Sequence, residues 1–203
     1  MPGADEFDAD DYLPQIESRL EDLPDGLQAH ISRSRAVGAD LAELHGVDPE
    51  RVDVALAAHD VYRAAGADAL LAQAVRRGWE ADPIERAAPI LLHGGVAALW
   101  LMQEVGMTDQ SVIEAVTWHT TFAPSLGPVA TLVFLADKID PDKVERKPWR
   151  TEVRDLAHSR SPEDAVELYL SVVVVEEIEG GGLAHSRALD ALNYLRLGKA
   201  HLH

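Results

Sequence analysis

The chain has 203 residues, enough for one well-packed domain, and contains no cysteine, which excludes disulfides and thiolate metal sites. Its formal charge of -17 argues against broad binding to nucleic acid or an anionic membrane, because both need a basic face that displaces counterions. No run of about 18 apolar residues occurs, and the opening MPGADEFDAD is acidic, so the expectation is a soluble, unexported, cytoplasmic protein.

Residues 1–25 read as an acidic lead-in, a frayed segment or one peripheral helix, closed by the turn signal PDG at 24–26. From there a period near 3.6 predicts helices over 27–45, 50–64, 67–78, 84–105, 109–120, 126–140, 150–158, 162–178 and 184–198. Nearly all the breaks between them contain Gly or Pro, as helix ends do. The valine run in YLSVVVVEEIE, residues 169–179, competes as a strand. Ahead of it, SPED supplies an N-cap Ser, a Pro at the first helical position and acids in the first turn, and a lone strand would have no partner. The expected fold is all-α, about eight or nine helices, with residues 26–150 as the core and 151–203 as C-terminal helices packed on it in the same domain. With aromatics at 5%, that core must be aliphatic.

Several polar residues fall on apolar stripes. Val52, Ala55, Leu56 and His59 lie at i, i+3, i+4 and i+7. By the same test His93 leads Val96, Ala97 and Trp100, Val112, Ala115 and Val116 lead to His119, and His30 lines up with Val37, Leu41 and Leu44. Asp137 follows Val129, Ala130, Val133 and Phe134. Buried imidazoles and carboxylates need partners, and a divalent metal would satisfy several at once. The test also selects His185 and His45. For any one histidine, a hydrogen-bonded structural role fits as well, so periodicity alone does not choose.

The pattern His30, His59-Asp60, His93, His119 and Asp137 resembles the HD-domain metal-dependent phosphohydrolases. Within them it is most similar to the symmetrical bis(5'-nucleosyl)-tetraphosphatases of the YqeK type. The matching pieces are AHISRSRAVGADLAELHGV, ALAAHDVYR, LLHGGVAALWLMQ, VIEAVTWHTT and LVFLADKIDPDK, in order from 29 to 143. The resemblance implies an HD-domain helical bundle in which His30, His59, Asp60 and Asp137 ligate one metal. His93 and His119 would hold a second, with Asp60 bridging and central to catalysis. It implies iron, with Mn, Co or Zn as alternatives, and cleavage of diadenosine tetraphosphate to two ADP by metal-activated water. Thr120 matches the family's Thr after the last His, and Arg63, four residues after His59, stands where the family has Lys or Arg. Three departures stand out: Ser34 for an apolar residue, Asp140 for Glu, and Lys143 for Arg, which keeps the charge but loses bidentate phosphate recognition.

No basic residue occurs from 87 to 137, and then Lys138, Lys143, Arg146, Lys147, Arg150 and Arg154 follow. This is either a solvated helix end or a cationic rim that receives phosphates. Lys143, Arg63 and Arg33 are the expected phosphate contacts, with Trp149 placed to stack on a base. Two alternatives stand beside the leading reading: an HD nucleotidase or pyrophosphatase with a different nucleotide substrate, and a metal-containing nucleotide-binding module without turnover. Neither nucleic acid nor a membrane is an expected partner, and a homodimer is left open.

Overall fold

The computed structural model describes residues 7–159 and 161–200. Among them there is no strand, and no helix is long and apolar enough to cross a membrane. Twelve α-helices follow one another. They are α1 (Leu13–Leu20), α2 (Asp25–His45), α3 (Pro49–Ala58), α4 (Ala67–Arg77), α5 (Pro83–Ala87), α6 (His93–Trp100), α7 (Gln110–Trp118), α8 (Pro128–Lys138), α9 (Pro141–Arg146), α10 (Arg150–Ala157), α11 (Pro162–Glu179) and α12 (Ser186–Ala200).

Side-chain caps start two of the helices that carry the site. Asp48 accepts from the amides of Glu50 and Arg51 ahead of α3, and Asp109 from those of Ser111 and Val112 ahead of α7. Asp82 and Glu85 form a reciprocal capping box at α5. Gly46, at φ 65°, ends α2 in the left-handed conformation that a residue with a Cβ resists.

α8 is the central helix. Leu132, Val133, Phe134, Leu135 and Ala136 are all buried, and α2, α3, α7, α10 and α11 pack around them. A helix apolar on every side belongs in an interior. α12 packs on α11.

The helix count exceeds the expected eight or nine for identifiable reasons. The stretch 84–105 is four pieces, because Pro89 disfavours a helical Ala88 (φ -128°, ψ 72°). A 3-10 turn over Pro89–Leu92 follows, then α6, then a π-turn over Leu101–Val105. The expected break at DPDK is instead the N-terminus of α9, with Asp140 accepting from the Asp142 amide and Pro141 at the first position. The helix expected over 50–64 ends at Ala58, and residues 59–65 run in tight turns. The valine run is helical: Val174 is buried while Val175 is 51% exposed. Of the 1–25 lead-in, residues 1–6 lie outside the described residues; the rest holds a 3-10 turn and α1.

Candidate metal centre

His30, His59, Asp60, His93, His119 and Asp137 are all buried and meet at one place. They arrive from α2, the end of α3 and the turn after it, the start of α6, the end of α7, and α8. His59 and His119 are the C-cap residues of α3 and α7, and His93 is the first residue of α6. Asp60 is thus in a turn rather than on a helix.

Three of the histidines are held in the same way. The Nδ1 of His59 donates to the Leu56 carbonyl at 2.7 Å, that of His93 to Ile90 at 2.5 Å, and that of His119 to Val116 at 2.8 Å. A ring that donates from Nδ1 while neutral carries a lone pair on Nε2. All three Nε2 atoms face inward. Those of His93 and His119 are 2.8 Å apart, and that of His59 is buried with no hydrogen-bond partner. Burial pushes His119 down to about 3 and also lowers His59, so both rings are neutral at ordinary pH. Lone pairs aimed at one another in a buried pit need a cation among them, and imidazole with carboxylate is a donor set for divalent transition metals.

Asp60 divides its carboxylate between two groups. Oδ1 lies 3.0 Å from His93 Nε2 and 3.4 Å from His119 Nε2, while Oδ2 lies 3.6 Å from His30 Nε2 and 3.5 Å from His59 Nε2. Both groups, His30 with His59 and Asp60, and Asp60 with His93 and His119, are tight enough to hold an ion. Asp137 adds Oδ1 at 3.0 Å from His30 Nε2 and 3.8 Å from His59 Nε2. Against its burial, Lys138 and Lys143 keep that carboxyl far below the ordinary range.

His30 is held differently. Its Nδ1 lies 2.7 Å from Asp140 Oδ2, and Asp140 in turn accepts from Arg33 Nε at 2.6 Å and Nη2 at 3.1 Å. Burial opposes a charge on this ring, but the bonds to Asp137 and Asp140 outweigh it and raise its pKa. Asp140, almost fully buried, was not among the expected site residues. Its position as N-cap of α9, directly after the helix that carries Asp137, is the signal that would have found it.

The expected phosphate contacts separate. Lys143 contacts Asp137 and lies 3.3 Å from His30 Nε2. Arg63 is exposed at the rim of the pit and makes no ion pair among the described residues. Thr120 Oγ1 is 3.2 Å from His119 Nε2 and 3.3 Å from His93 Nε2. Arg33 lies at the edge but is committed to Asp140 and Asp142. Of the basic run, Lys138 donates to Asp137 Oδ2 at 2.6 Å, an unexpected site residue, and Arg146 lines a polar cleft of about 490 Å³ beside His30. Lys147, Arg150 and Arg154 bond Glu176, the Lys138 carbonyl and Asp155 instead. Trp149 does not stack toward the site: it packs 5.6 Å from the Tyr169 ring with its indole nitrogen buried.

The other two stripe histidines are structural. His45 Nε2 donates to the Ala157 carbonyl at 2.7 Å. His185 sits with Asp82 and Glu85, a third grouping close enough for an ion. There, however, Nδ1 accepts the Arg187 amide at 3.2 Å, which puts the ring proton on Nε2, 3.3 Å from Asp82 Oδ2. That is the opposite polarity to the central histidines.

No protein-family model matches the chain. Its fold is that of a predicted HD superfamily hydrolase involved in NAD metabolism from Clostridium acetobutylicum: TM-score 0.85, 22% identity, covering 91% of this chain and 97% of that one. That likeness gives the fold, and within it the buried His and Asp groups have the donor set and spacing to hold divalent ions. In sequence the chain is similar to symmetrical bis(5'-nucleosyl)-tetraphosphatases. It is 27% identical to the one from Staphylococcus aureus over 86% of this chain and 89% of the relative. To that of Halalkalibacterium halodurans it is 30% identical, over 51% of this chain and 55% of the relative. To that of Bacillus subtilis it is 27% identical, over 59% and 63%.

Proposed function

We propose that this protein hydrolyses dinucleoside tetraphosphates, diadenosine tetraphosphate to two ADP, at a centre of two divalent ions. The observation that carries the reading is the division of Asp60, with one oxygen toward His93 and His119 and the other toward His30 and His59. In this reading His30, His59, Asp60 and Asp137 hold one ion, and Asp60, His93 and His119 the other. Mixed imidazole and carboxylate ligation suits Fe, Mn, Co or Zn over Mg, and iron is the choice that the family resemblance implies. When bound, such ions lower the pKa of a water toward neutrality and offset charge growing on phosphoryl oxygens.

The chain's own residues supply the rest. Each of His59, His93 and His119 has its one proton committed to a carbonyl, so none serves as a proton donor. None is needed, since a diphosphate leaves as a stable anion at neutral pH. Arg63, with no carboxylate partner among the described residues, is a guanidinium placed to grip a phosphate in two-pronged fashion. Lys143 occupies Asp137 and approaches His30, contacts that it must give up when an ion takes them. The polar cleft that it lines is where its charge then meets phosphate. The net charge of -17 favours a free nucleotide as ligand over nucleic acid.

Protein loaded with iron or manganese should release ADP from diadenosine tetraphosphate, and Asp60→Ala should not. An intact substrate, or equal release by the two proteins, would refute the reading.

A further inference from the structure

The central pit, about 70 Å³, is lined in part by Arg63, Thr120 and Lys138. The same three residues line a second cleft, about 490 Å³, between α11, residues 183–188 and the turn at 88–91. The two hollows therefore share part of their wall. The larger carries several large apolar side chains, where the polar cleft beside His30 carries mostly charged ones. Ile90 and Leu183 stand in it 39% and 53% exposed, with Val173 also in its wall. Large apolar side chains left open in one concavity mark a ligand site, and the volume falls within the ordinary range of roughly 300–1,000 Å³. The polar cleft, by contrast, is walled mainly by charged groups, among them Asp60, Arg63, Arg33, Asp140, Lys143 and Arg146, with Leu27 as its one large apolar side chain. A substrate symmetrical about its central bond thus meets two unlike arms.

We propose that the enzyme reads a single nucleoside. Resting on the hydrolysis reading above, the assignment puts the base and ribose of one half in the apolar cleft. The phosphates of that half cross the pit past Thr120, Lys138 and Arg63, and the other half runs out through the polar cleft, where its phosphates alone are held. The second nucleoside is then dispensable. Adenosine 5'-tetraphosphate contains the same central P–O–P bond. Water oxygen bonds to one phosphorus, the bridging oxygen leaves with the other half, the water protons pass to solvent and product, and ADP and pyrophosphate result.

The test compares the two substrates and one paired variant on metal-loaded protein. Adenosine 5'-tetraphosphate should be cleaved with kcat/KM within about tenfold of the dinucleoside compound, since the pocket contacts that discriminate are shared. Ile90→Ser with Leu183→Ser, both at exposed positions, should raise KM for both substrates about tenfold with kcat changed far less. ADP binding should weaken in parallel while pyrophosphate binding stays the same. Cleavage of the dinucleoside compound alone overturns the proposal, as does a variant whose KM and ADP affinity match the parent's. If the parent cleaves neither compound, the hydrolysis reading fails. The cleft assignment then stands or falls on whether the variant loses ADP but keeps pyrophosphate.

Discussion

Gly94 follows His93 on α6 and faces the end of α7. A Cβ at Gly94 would lie 2.8 Å from the carbonyl oxygens of both Val116 and Thr117, and 3.1 Å from Cε1 of His119. Helix propensity alone favours Gly94→Ala by about 0.5–1 kcal/mol. Against that, the clash is with backbone, which cannot rotate aside, and overpacking of this kind costs about 1–3 kcal/mol. At mid-range the clash outweighs the propensity by about 1 kcal/mol, or roughly 2–4 °C in Tm for a chain of this size. The movement also falls where it matters most, since it parts α6 from α7 and so His93 from His119, whose Nε2 atoms are 2.8 Å apart. Thermal unfolding of chelated protein measures the first effect; metal content per chain, determined by mass spectrometry after loading, measures the second. The expected result is a lower Tm and the loss of one ion, with the ion at His30 and His59 retained. A raised Tm, or two ions kept, would show that helix propensity governs this contact and that the argument from Gly94 is wrong.

Asp140→Ala takes the acceptor from His30 Nδ1 and from Arg33. Loss of such a carboxylate partner lowers metal affinity about 10–100-fold, and a competition titration against a chelator would read it; unchanged affinity counts against the arrangement. With His119 at about 3 in the folded chain and ~6.5 unfolded, the unfolded state binds the proton first as pH falls. Stability of chelated protein from this group is therefore lost below the unfolded pKa, about 1 kcal/mol between pH 7 and 5.5. His30, raised on folding, acts with the opposite sign. The comparison is thus between the parent and His119→Gln in denaturant titrations, where the variant's pH slope should be flatter, and equal slopes contradict the assignment. Asp82→Ala should cost about 1 kcal/mol through the lost cap of α5 and leave the metal content untouched; a lost ion would mean that the His185 cluster binds one.

The inward set of His30, His59, His93, His119 and Asp137 was legible because an apolar stripe of period 3.6 marks the buried face whatever helix carries it. Asp60 was legible only through resemblance, since its role depends on a turn that periodicity had taken for helix. Asp140 and Lys138 stood out in the sequence only as a departure from the family's motif and as part of the basic run, because they flank a helix end, where spacing carries no directional information. Trp149 was misjudged for the converse reason: sequence proximity to basic residues does not tell which way an indole packs, and here it turns to Tyr169. His185 shows the limit of the stripe test, because burial reveals nothing about which ring nitrogen keeps its proton.

The carbonyls of Leu56, Ile90 and Val116 have one more effect. Ligand histidines must ordinarily shed or relocate protons as a metal enters, which makes uptake fall with acidity. Here three of the four rings already hold their proton on the outward nitrogen, so filling the His93 and His119 side should displace almost no hydrogen ions. The exchange is confined to His30, the ring whose carboxylate neighbours favour its charged form. The two halves of the centre should thus load with different acid dependence, one nearly indifferent to pH and the other gated by it.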